Sequence, residues 1–464
     1  MSETSERQLL EATARLAASY RESLPERAVR SLRTPQELQR ALQVPLTDSG
    51  EPARQVIEAL AQLGAFGTTA SAGPRYFGFV VGGSTPAALA ADWLVSAWDQ
   101  NGGLHALSPL IAAVEEVTAD WLLQVLRLPR SMSVGFVTGC QMASFTALAA
   151  ARHRVLRKVG WDVEAEGLGG APPIEILVSD EAHYTIQVAL RFLGLGGNRV
   201  RRVPADAHGR MEVDALAARL EALTGPCIVC AQAGNVNGGA FDPLEKIAAL
   251  THARGAWLHI DGAFGLWAAA APQRAHLVRG IEHADSIAAD AHKWLNVPYD
   301  CGLVFCADEA AHRGAMGLSA PTVAAPYLAT SVRERDPHEF VPEASRRGRA
   351  VTVYAALRAL GRGGVAQLIE RNCRQAQRFA AGLAAAGHEV LNDVVLNQVV
   401  VAFGDADRTR RVIAALQADG TCWCGGTLWR GRTAMRISVS NWSTSDADVE
   451  RSLEAMLRIA RATP

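Results

Sequence analysis

The spacing of apolar and polar positions divides the chain into parts of different character. Up to about Leu63, apolar residues recur at helical spacing among polar ones, and prolines interrupt the pattern. This predicts short helices with polar faces. Residues 64–86 are rich in glycine, serine, threonine and aromatic residues, which is typical of a loop that lines a concave site. Further helices are predicted at residues 87–98 and 109–126.

From residue 133 onward, short apolar runs alternate with helical segments, of which the alanine-rich segment 142–152 is the strongest. Such alternation, continued over about 170 residues, predicts an α/β fold with a mostly parallel sheet that is covered on both faces. The strands are predicted at residues 133–137, 174–179, 227–231, 257–260, 286–289 and 302–306.

The last part of the chain has a different pattern. After residue 342 a long helix is predicted to end near Leu360, and a smaller α+β region follows, with strands near 394–403 and 434–440 and a final helix at 446–460. We therefore expect three parts. They are an N-terminal helical arm with a substrate-side loop (1–85), a large α/β domain (86–341) and a small C-terminal domain (342–464).

Composition narrows the class of protein. A hydrophobic content of 49%, a charged content of 20% and a formal net charge of −1 are ordinary for a globular protein, and no basic block points to nucleic acid or to an anionic membrane. No apolar run resembles a signal peptide or a membrane span, so a cytoplasmic location is expected. The eight cysteines form no disulfide framework, and the Cys227/Cys230 pair lies in an apolar strand, so we predict no metal site.

Polar residues with chemical potential follow the predicted strands. In parallel sheets, ligand-binding groups lie beyond the carboxyl ends of the strands. Each residue alone has an ordinary structural interpretation, such as a core histidine, a helix-capping aspartate or a lysine in solvent. Because all of them occur at successive strand ends, a purely structural role for the whole set is improbable. In chain order they are the turn 138–141, His183, Asn235, Asp261 and the pair His292-Lys293.

Two of these features indicate a specific chemistry. Burial lowers the pKa of a lysine, and a neutral amine such as that of Lys293 can form a Schiff base with an aldehyde cofactor. The small-residue turn 138–141 lies between a strand and a helix, where backbone amides point at an anion. This turn is not a P-loop, because the Gly-Lys-Ser/Thr of that motif is missing.

In combination, four segments resemble the group II amino-acid decarboxylases, which are pyridoxal-phosphate (PLP) enzymes of the aspartate-aminotransferase fold. The resemblance extends from about Pro74 to the C-terminus. It implies fold type I, with a mostly parallel, seven-stranded-type sheet in the large domain, PLP as cofactor, and a homodimer with shared active sites. The segments are Asp180-Glu181-Ala182-His183, the stretch from Gly234 to Pro243, His259-Ile260-Asp261-Gly262-Ala263 and Asp290-Ala291-His292-Lys293-Trp294.

The resemblance also implies a role for each matching residue. Lys293 would hold PLP as an internal aldimine, and Asp261 would pair with the pyridinium nitrogen. His183 would stack on one face of the ring, and Ala263 would leave clearance at the other. The remaining implied cofactor contacts are Cys140, Gln141 and His292 at the phosphate, Asn235 near the ring or phosphate, and Ser345 near the phosphate of the partner subunit.

This chain departs from the family pattern at two places. The phosphate turn usually carries serine or threonine with glycines, whereas here it contains Cys140 and Gln141. Asp290 stands where aromatic-amino-acid decarboxylases usually have an asparagine that contacts the phosphate. Because a carboxylate beside a phosphate dianion is repulsive, Asp290 is expected to point away or to serve a backbone turn.

The resemblance also bears on the reaction and the substrate. In the family, a tyrosine on a mobile loop of the neighbouring subunit protonates the product carbon, and Tyr327 is the match. Because the chain has both Tyr327 and His183, we expect decarboxylation of an L-amino acid to the amine. The alternatives are an aldehyde synthase, an aminotransferase and a PLP-binding protein without turnover. The residues that match the substrate-side loops indicate an aromatic or other apolar substrate and are Phe79, Val80, Asn101, Gly103 and Leu104.

Overall fold

The apolar runs between Ser133 and Cys306 form one mixed sheet. The computed structural model describes residues 5–317 and 335–464. Within them, the strands of this sheet are β1 (Ser133–Val137), β2 (Glu175–Ser179), β3 (Val200–Val203), β4 (Cys227–Gln232), β5 (Trp257–Asp261), β6 (Ser286–Asp290) and β7 (Gly302–Cys306). Their order across the sheet is β1-β7-β6-β5-β4-β2-β3. All residues of β1, β4, β5, β6 and β7 are buried, as expected for strands covered on both faces.

The strand directions place one set of strand ends at a common edge. Neighbouring strands from β3 to β6 are parallel, which confirms the predicted mostly parallel sheet. Strand β7 is antiparallel to both β6 and β1, so β1 runs in the same direction as β6. The carboxyl ends of β1, β2, β4, β5 and β6 therefore lie along one edge of the sheet.

Strand β3 was not predicted from the sequence. It reads Val-Arg-Arg-Val, and both arginines are exposed. A strand of four residues with two central charges has neither an apolar run nor a regular alternation, so periodicity alone does not reveal it. Its position at the edge of the sheet explains why the charges are tolerated.

The helices agree with the predicted pattern, with shifts of a few residues at their ends. The longest, α12, was predicted to end near Leu360; it contains a non-helical residue at Gly361 (φ 62°) and continues to Ala385. The helix after β1 begins two residues earlier than predicted, at Cys140. The helices are α1 (Glu6–Ser23), α2 (Pro35–Leu42), α3 (Ala53–Gly67), α4 (Pro86–Trp98), α5 (Pro109–Val125), α6 (Cys140–Arg157), α7 (Val163–Glu166), α8 (Tyr184–Phe192), α9 (Val213–Glu221), α10 (Leu244–Ala253), α11 (Glu309–Met316), α12 (Ala350–Ala385), α13 (Ala406–Asp419) and α14 (Asp446–Ala462).

A second, smaller sheet lies in the C-terminal part of the chain. Its strands are β8 (Glu389–Val390), β9 (Gln398–Ala402), β10 (Gly425–Trp429) and β11 (Arg432–Ser438), in the order β10-β11-β9-β8. Strands β9 and β11 lie at the predicted positions. Strand β10 was missed because it begins with two glycines, which weaken a strand pattern.

The chain forms two compact units. One consists of Met1–Val81, Arg378–Leu391 and Val400–Pro464, and the other of Gly82–Gln377 and Asn392–Val399. The division into parts 1–85, 86–341 and 342–464 stays a prediction. In the described part of the chain, no helix is long and apolar enough to cross a membrane, and all eight cysteines are buried free thiols.

The buried His312 predicts a loss of stability in acid. Its ring lies against Ser133 (Nδ1 to Oγ, 2.8 Å), and burial lowers the pKa of the imidazole to about 3. The unfolded chain, with a histidine pKa of about 6.5, therefore binds a proton that the folded chain does not, so stability falls as pH decreases below that value. Relative to a His312→Gln variant, the free energy of unfolding should fall by about 1.4 kcal/mol per pH unit between pH 6 and 4.

Urea unfolding curves recorded at several pH values test this expectation. His208 is a suitable control site because its side chain is partly exposed beside Asp393. A His208→Gln variant makes the matched substitution and is measured at the same pH values. Equal pH slopes for the His312→Gln variant and the unsubstituted protein would contradict the assignment of a neutral, buried His312.

Candidate active site

A pocket of about 270 Å³ lies at the carboxyl ends of the central strands. It gathers predicted residues that are more than 150 positions apart in the sequence, which confirms that the strand-end residues converge on one edge. All residues that line it belong to the unit that contains Gly82–Gln377. The predicted site residues in its wall are Cys140, Gln141, His183, Asp261, Ala263, His292 and Lys293.

Asp290, the last residue of β6, points into this pocket. One carboxylate oxygen lies 2.8 Å from Lys293 Nζ, and the other accepts a hydrogen bond from the backbone N–H of Cys140 at 2.5 Å. The expectation that Asp290 points away was therefore wrong, whereas the alternative that it serves a backbone turn describes its bond to Cys140. The reason is the Lys293 ammonium three residues later, which gives the buried carboxylate a partner of opposite charge.

The Asp290 carboxylate also changes the expected protonation of Lys293. Burial alone lowers the pKa of this amine, but Asp290, together with Cys140 and Asp261, outweighs burial and raises the pKa above its usual value. The expectation that burial lowers the pKa of Lys293 is therefore not met in this arrangement. In this arrangement Lys293 is an ammonium ion held by an aspartate, and it must give up a proton before it can act as a nucleophile.

Asp261 occupies the end of β5 and faces the same pocket. Its Oδ1 accepts the N–H of Ala263 at 3.1 Å and lies 3.5 Å from Cys140 Sγ. Burial, together with Asp261 and Asp290, raises the pKa of the Cys140 thiol, so the thiol keeps its proton and donates it towards Asp261. Cys140, which was expected at a phosphate, thus contacts Asp261 through its side chain and Asp290 through its amide.

His183 directly precedes α8 and also lines the pocket. Its Nδ1 lies 2.7 Å from the hydroxyl of Thr185, and its ring lies 4.6 Å from the ring of Tyr184. Thr185 and Tyr184 were not singled out in the sequence, although both line the pocket. A threonine two residues after a candidate histidine, at the first turn of a helix, is the signal that could have identified the hydrogen bond.

The turn before α6 packs closely against β7, and a glycine lies on each side of the contact. A Cβ on Gly139 would lie 3.2 Å from His292 Cε1, and a Cβ on Gly302 would lie 2.5 Å from Gly139 Cα. These two glycines let the turn approach β7 and the His292 ring closely. The close approach brings the first amide of α6 to the Asp290 carboxylate.

The His292 ring faces Asp290. Its Nδ1 accepts the N–H of Cys301 at 3.2 Å, its Nε2 lies 3.4 Å from Asp290 Oδ1, and the ring of Tyr299 lies 4.3 Å away. Burial lowers the pKa of the His292 imidazole. Because Nδ1 is an acceptor, the proton of the neutral ring is on Nε2. A contact of His292 with phosphate stays a prediction.

Asn235 shapes the loop after β4. Its side-chain oxygen accepts the N–H groups of Asn237 and Gly238 at 2.8 and 3.0 Å. Its amide nitrogen, and that of Gln232, which lines the pocket, are buried and have no hydrogen-bond partner among the described residues. A contact between Asn235 and a cofactor stays a prediction, and Gln232 is a pocket residue that the sequence did not indicate.

The predicted substrate-side residues do not appear in the pocket wall of the described chain. Asn101 accepts the N–H groups of Gly103 and Arg346, so its side chain fixes a loop. Phe79 is exposed and packs on Trp423, and Val80 is buried. The substrate contacts predicted for Phe79, Val80, Asn101, Gly103 and Leu104 stay predictions.

Two further predicted site residues are not tested by the described residues of one chain. Ser345 is exposed, and its contact with a partner's phosphate stays a prediction. Tyr327 lies outside the described residues.

The backbone of Lys293 is fixed by Gly82, which yields a testable prediction. A Cβ on Gly82 would lie 1.9 Å from the Lys293 carbonyl oxygen, and the next residue, Gly83, donates its N–H to Asn296 Oδ1 at 2.8 Å. A Gly82→Ala variant must therefore shift the Lys293 turn. Because misplacement of a reacting group by about 1 Å can reduce turnover about 10²-fold, we expect a loss of that order in kcat.

Steady-state kinetics of Gly82→Ala beside Gly64→Ala measure this effect. Gly64 lies within α3, and a Cβ there would meet no atom within 4 Å. The Gly64→Ala variant should retain normal kcat. Normal kcat in Gly82→Ala as well would contradict the placement of Lys293 by Gly82.

Comparisons with known proteins agree with this geometry. The family model described as the pyridoxal-dependent decarboxylase conserved domain matches residues 35–403. L-2,4-diaminobutyrate decarboxylase of Rhizobium meliloti (strain 1021) is 32% identical over 387 residues, which cover 81% of this chain and 75% of the relative. Aromatic-L-amino-acid decarboxylase of Bacillus atrophaeus is 31% identical over 329 residues, which cover 68% of this chain and 64%, slightly under two thirds, of the relative.

A solved structure shows the same fold over the full chain. The crystal structure of Oryza sativa TDC with PLP and tryptamine superposes with a TM-score of 0.92 at 22% identity, covering 100% of this chain and 99% of that one. At this level of identity, the match establishes the fold.

Proposed function

The chain belongs to the pyridoxal-dependent decarboxylase family, and from this premise we propose that it removes the α-carboxyl group of an L-amino acid and releases the amine and carbon dioxide. The observation that carries the proposal is the pocket at the sheet edge. An amine (Lys293), a carboxylate (Asp261) and an imidazole (His183) line it together, beside the start of α6.

The residues of this pocket fit pyridoxal 5'-phosphate. The aldehyde of the cofactor requires an amine, which Lys293 offers, and its ring nitrogen requires an anion, which Asp261 offers. The first amides of α6 suit a phosphate. The buried amide nitrogen of Gln232, which has no partner among the described residues, is a further donor at the pocket wall.

When bound, the cofactor supplies a ring that accepts the electron pair left by the departing carbon dioxide. Asp261 would hold the proton on the ring nitrogen, which keeps the ring electron-poor. His183, oriented by Thr185, would cover one face of the ring, and Ala263 is small enough to leave the other face clear. Lys293 would hold the cofactor covalently and yield to the amine of the substrate.

The reaction requires one proton at the α-carbon in place of the lost carboxyl group. Without it, the electron pair stays on the carbon or is removed by an oxidant. Tyr327 is our proposed donor, from the resemblance of its segment to the family. If oxygen captures the electrons instead, the product is an aldehyde, which is the alternative function.

We favour an aromatic or other apolar amino acid as substrate. In the described part of the chain no arginine lines the pocket, whereas Tyr184, Val236 and Phe264 do. A second carboxylate on the substrate would have no guanidinium partner there. The relative from Rhizobium is named for 2,4-diaminobutyrate, so a diamino acid is the second candidate.

The test is an assay of the purified protein with PLP and a panel of L-amino acids: aromatic, aliphatic, acidic and diamino. Carbon dioxide, amine, aldehyde and peroxide are measured for each. Equal amounts of carbon dioxide and amine from an aromatic or aliphatic substrate are expected. Aldehyde with peroxide would show the oxidative reaction, and turnover of acidic or diamino substrates alone would contradict the substrate class.

We also propose that the working form is a homodimer. Helices α4 and α5 expose large apolar side chains, a feature that marks interaction surfaces. Sedimentation of the purified protein should give twice the mass of the chain, and a monomer that turns over substrate would contradict the proposal. The exposed side chains are Trp93, Leu94, Trp98, Leu110 and Val117.

A further inference from the structure

The start of α6 already has an anion beside it, and that anion belongs to the chain itself. The first N–H groups of a helix lack intrahelical partners and attract negative charge. Helix α6 is 18 residues long and begins at Cys140, whose N–H is bound by Asp290 Oδ1 at 2.5 Å. A phosphate held at this helix start would need the same amide.

The Asp290 carboxylate is held from more than one side. Its second oxygen contacts the Lys293 ammonium at 2.8 Å, and only 3% of its side chain is exposed. Its backbone is fixed as well, because its N–H donates to the carbonyl of Ala263 and its carbonyl accepts the indole N–H of Trp267, both at 2.9 Å. The carboxylate cannot turn to solvent without losing its contacts with the Cys140 N–H and the Lys293 ammonium.

A phosphate at this helix start therefore meets a fixed negative charge. Two anions within a few ångströms in a partly desolvated pocket repel each other, even when an ammonium lies nearby. Pyridoxal, which lacks the phosphate, would not experience this repulsion. The repulsion from Asp290 should therefore weaken the binding of the phosphorylated cofactor relative to that of the unphosphorylated one.

We propose that the charge of Asp290 weakens the binding of the cofactor phosphate by this chain. Pyridoxal 5'-phosphate is then preferred over pyridoxal by less than the helix start alone would give. The proposal rests on the proposed function, because it assumes that the pocket binds this cofactor. The repulsion comes from one side chain. The substitution Asp290→Asn removes its charge and keeps its shape.

The test compares two ligands on two proteins. Dissociation constants for pyridoxal 5'-phosphate and for pyridoxal are measured by absorbance on the full chain after removal of bound cofactor, for the unsubstituted protein and for Asp290→Asn. The ratio of the two constants isolates the phosphate, because any effect of Asp290 on the Lys293 amine acts on both ligands and cancels. We expect the preference for the phosphorylated ligand to increase roughly tenfold or more in the variant.

The control is a carboxylate near the site that does not line the pocket. Asp300 pairs with Arg349 at 2.9 Å, and its side chain is 45% exposed, so Asp300→Asn makes the same change in net charge and should leave the ratio unchanged. If Asp290→Asn does not fold, as judged by circular dichroism, Asp290→Ala replaces it with the same expected increase.

The outcomes distinguish a failure of the proposed role of Asp290 from a failure of the proposed function. An unchanged or decreased ratio in proteins that bind both ligands would overturn the role of Asp290 and leave the proposed function intact. Equal tightening of both ligands would also overturn it, because Asp290 would then act through Lys293 alone. Failure of the unsubstituted protein to bind either ligand would overturn the proposed function and this inference with it.

Discussion

Lys293→Ala is expected to reduce kcat by about three orders of magnitude or more, while the protein stays folded. Lys293 is the amine in the pocket wall, and in the proposed reaction it holds the cofactor and yields it to the substrate amine. The loss of a group that acts in both covalent chemistry and proton transfer has effects of about this size. Assays with added cofactor, together with circular dichroism of the variant, measure the result.

The control for this prediction is another lysine. The sequence contains three, Lys158, Lys246 and Lys293, and Lys246 is exposed on α10. Lys246→Ala should keep normal kcat. Colour in the Lys293→Ala protein would decide nothing, because a pocket without the lysine can still bind the cofactor without a covalent link. Turnover of Lys293→Ala within tenfold of normal would contradict the role of Lys293.

Asp261→Asn is expected to have the second largest effect, a decrease in kcat of about 10²- to 10³-fold. Losses in this range occur when one electrostatic contact to a developing charge is removed. A neutral amide in place of the carboxylate cannot hold a proton on the ring nitrogen. The variant also keeps the size of the side chain, so packing around Ala263 and Cys140 should change little. Because Asp261 acts on the ring, KM should change less than kcat.

A carboxylate at the opposite edge of the same sheet provides the comparison for Asp261. Asp285 directly precedes β6 and accepts the N–H of Leu258 at 2.7 Å. Its replacement by asparagine removes a hydrogen-bonded carboxylate without touching the pocket, so kcat should stay within a few-fold of normal. Similar losses in kcat from both variants would indicate that Asp261 acts through stability and not through chemistry.

The central sheet was largely predictable from the sequence because its strands are buried on both faces. Strands β1 and β7 have the predicted bounds, and the other buried strands differ by one residue at an end. Where burial is incomplete, the pattern fails: β3 has exposed arginines, and β10 begins with glycines. Apolar runs reveal strands that the core covers, and edge strands lack that signal.

The sequence predicted several of the residues that line the pocket, but it did not predict the contacts between them. Parallel strands bring their carboxyl ends to one edge, and this places His183, Asp261 and Lys293 in one pocket. The direction of the Asp290 side chain depends on Cys140, a residue 150 positions away, and the protonation of Lys293 depends on Asp290. Such contacts arise from the packing of the turn against β7, which no local pattern encodes.

The most direct measurement is borohydride reduction of the purified protein with its cofactor, followed by peptide mapping. With three lysines in the chain, there are three places where reduction can fix the cofactor on a side-chain amine. The proposed function predicts stoichiometric label on Lys293 and none on Lys158 or Lys246. Label on either of those lysines alone, or no label at all, would contradict the assignment of this pocket as the active site of a pyridoxal-dependent decarboxylase.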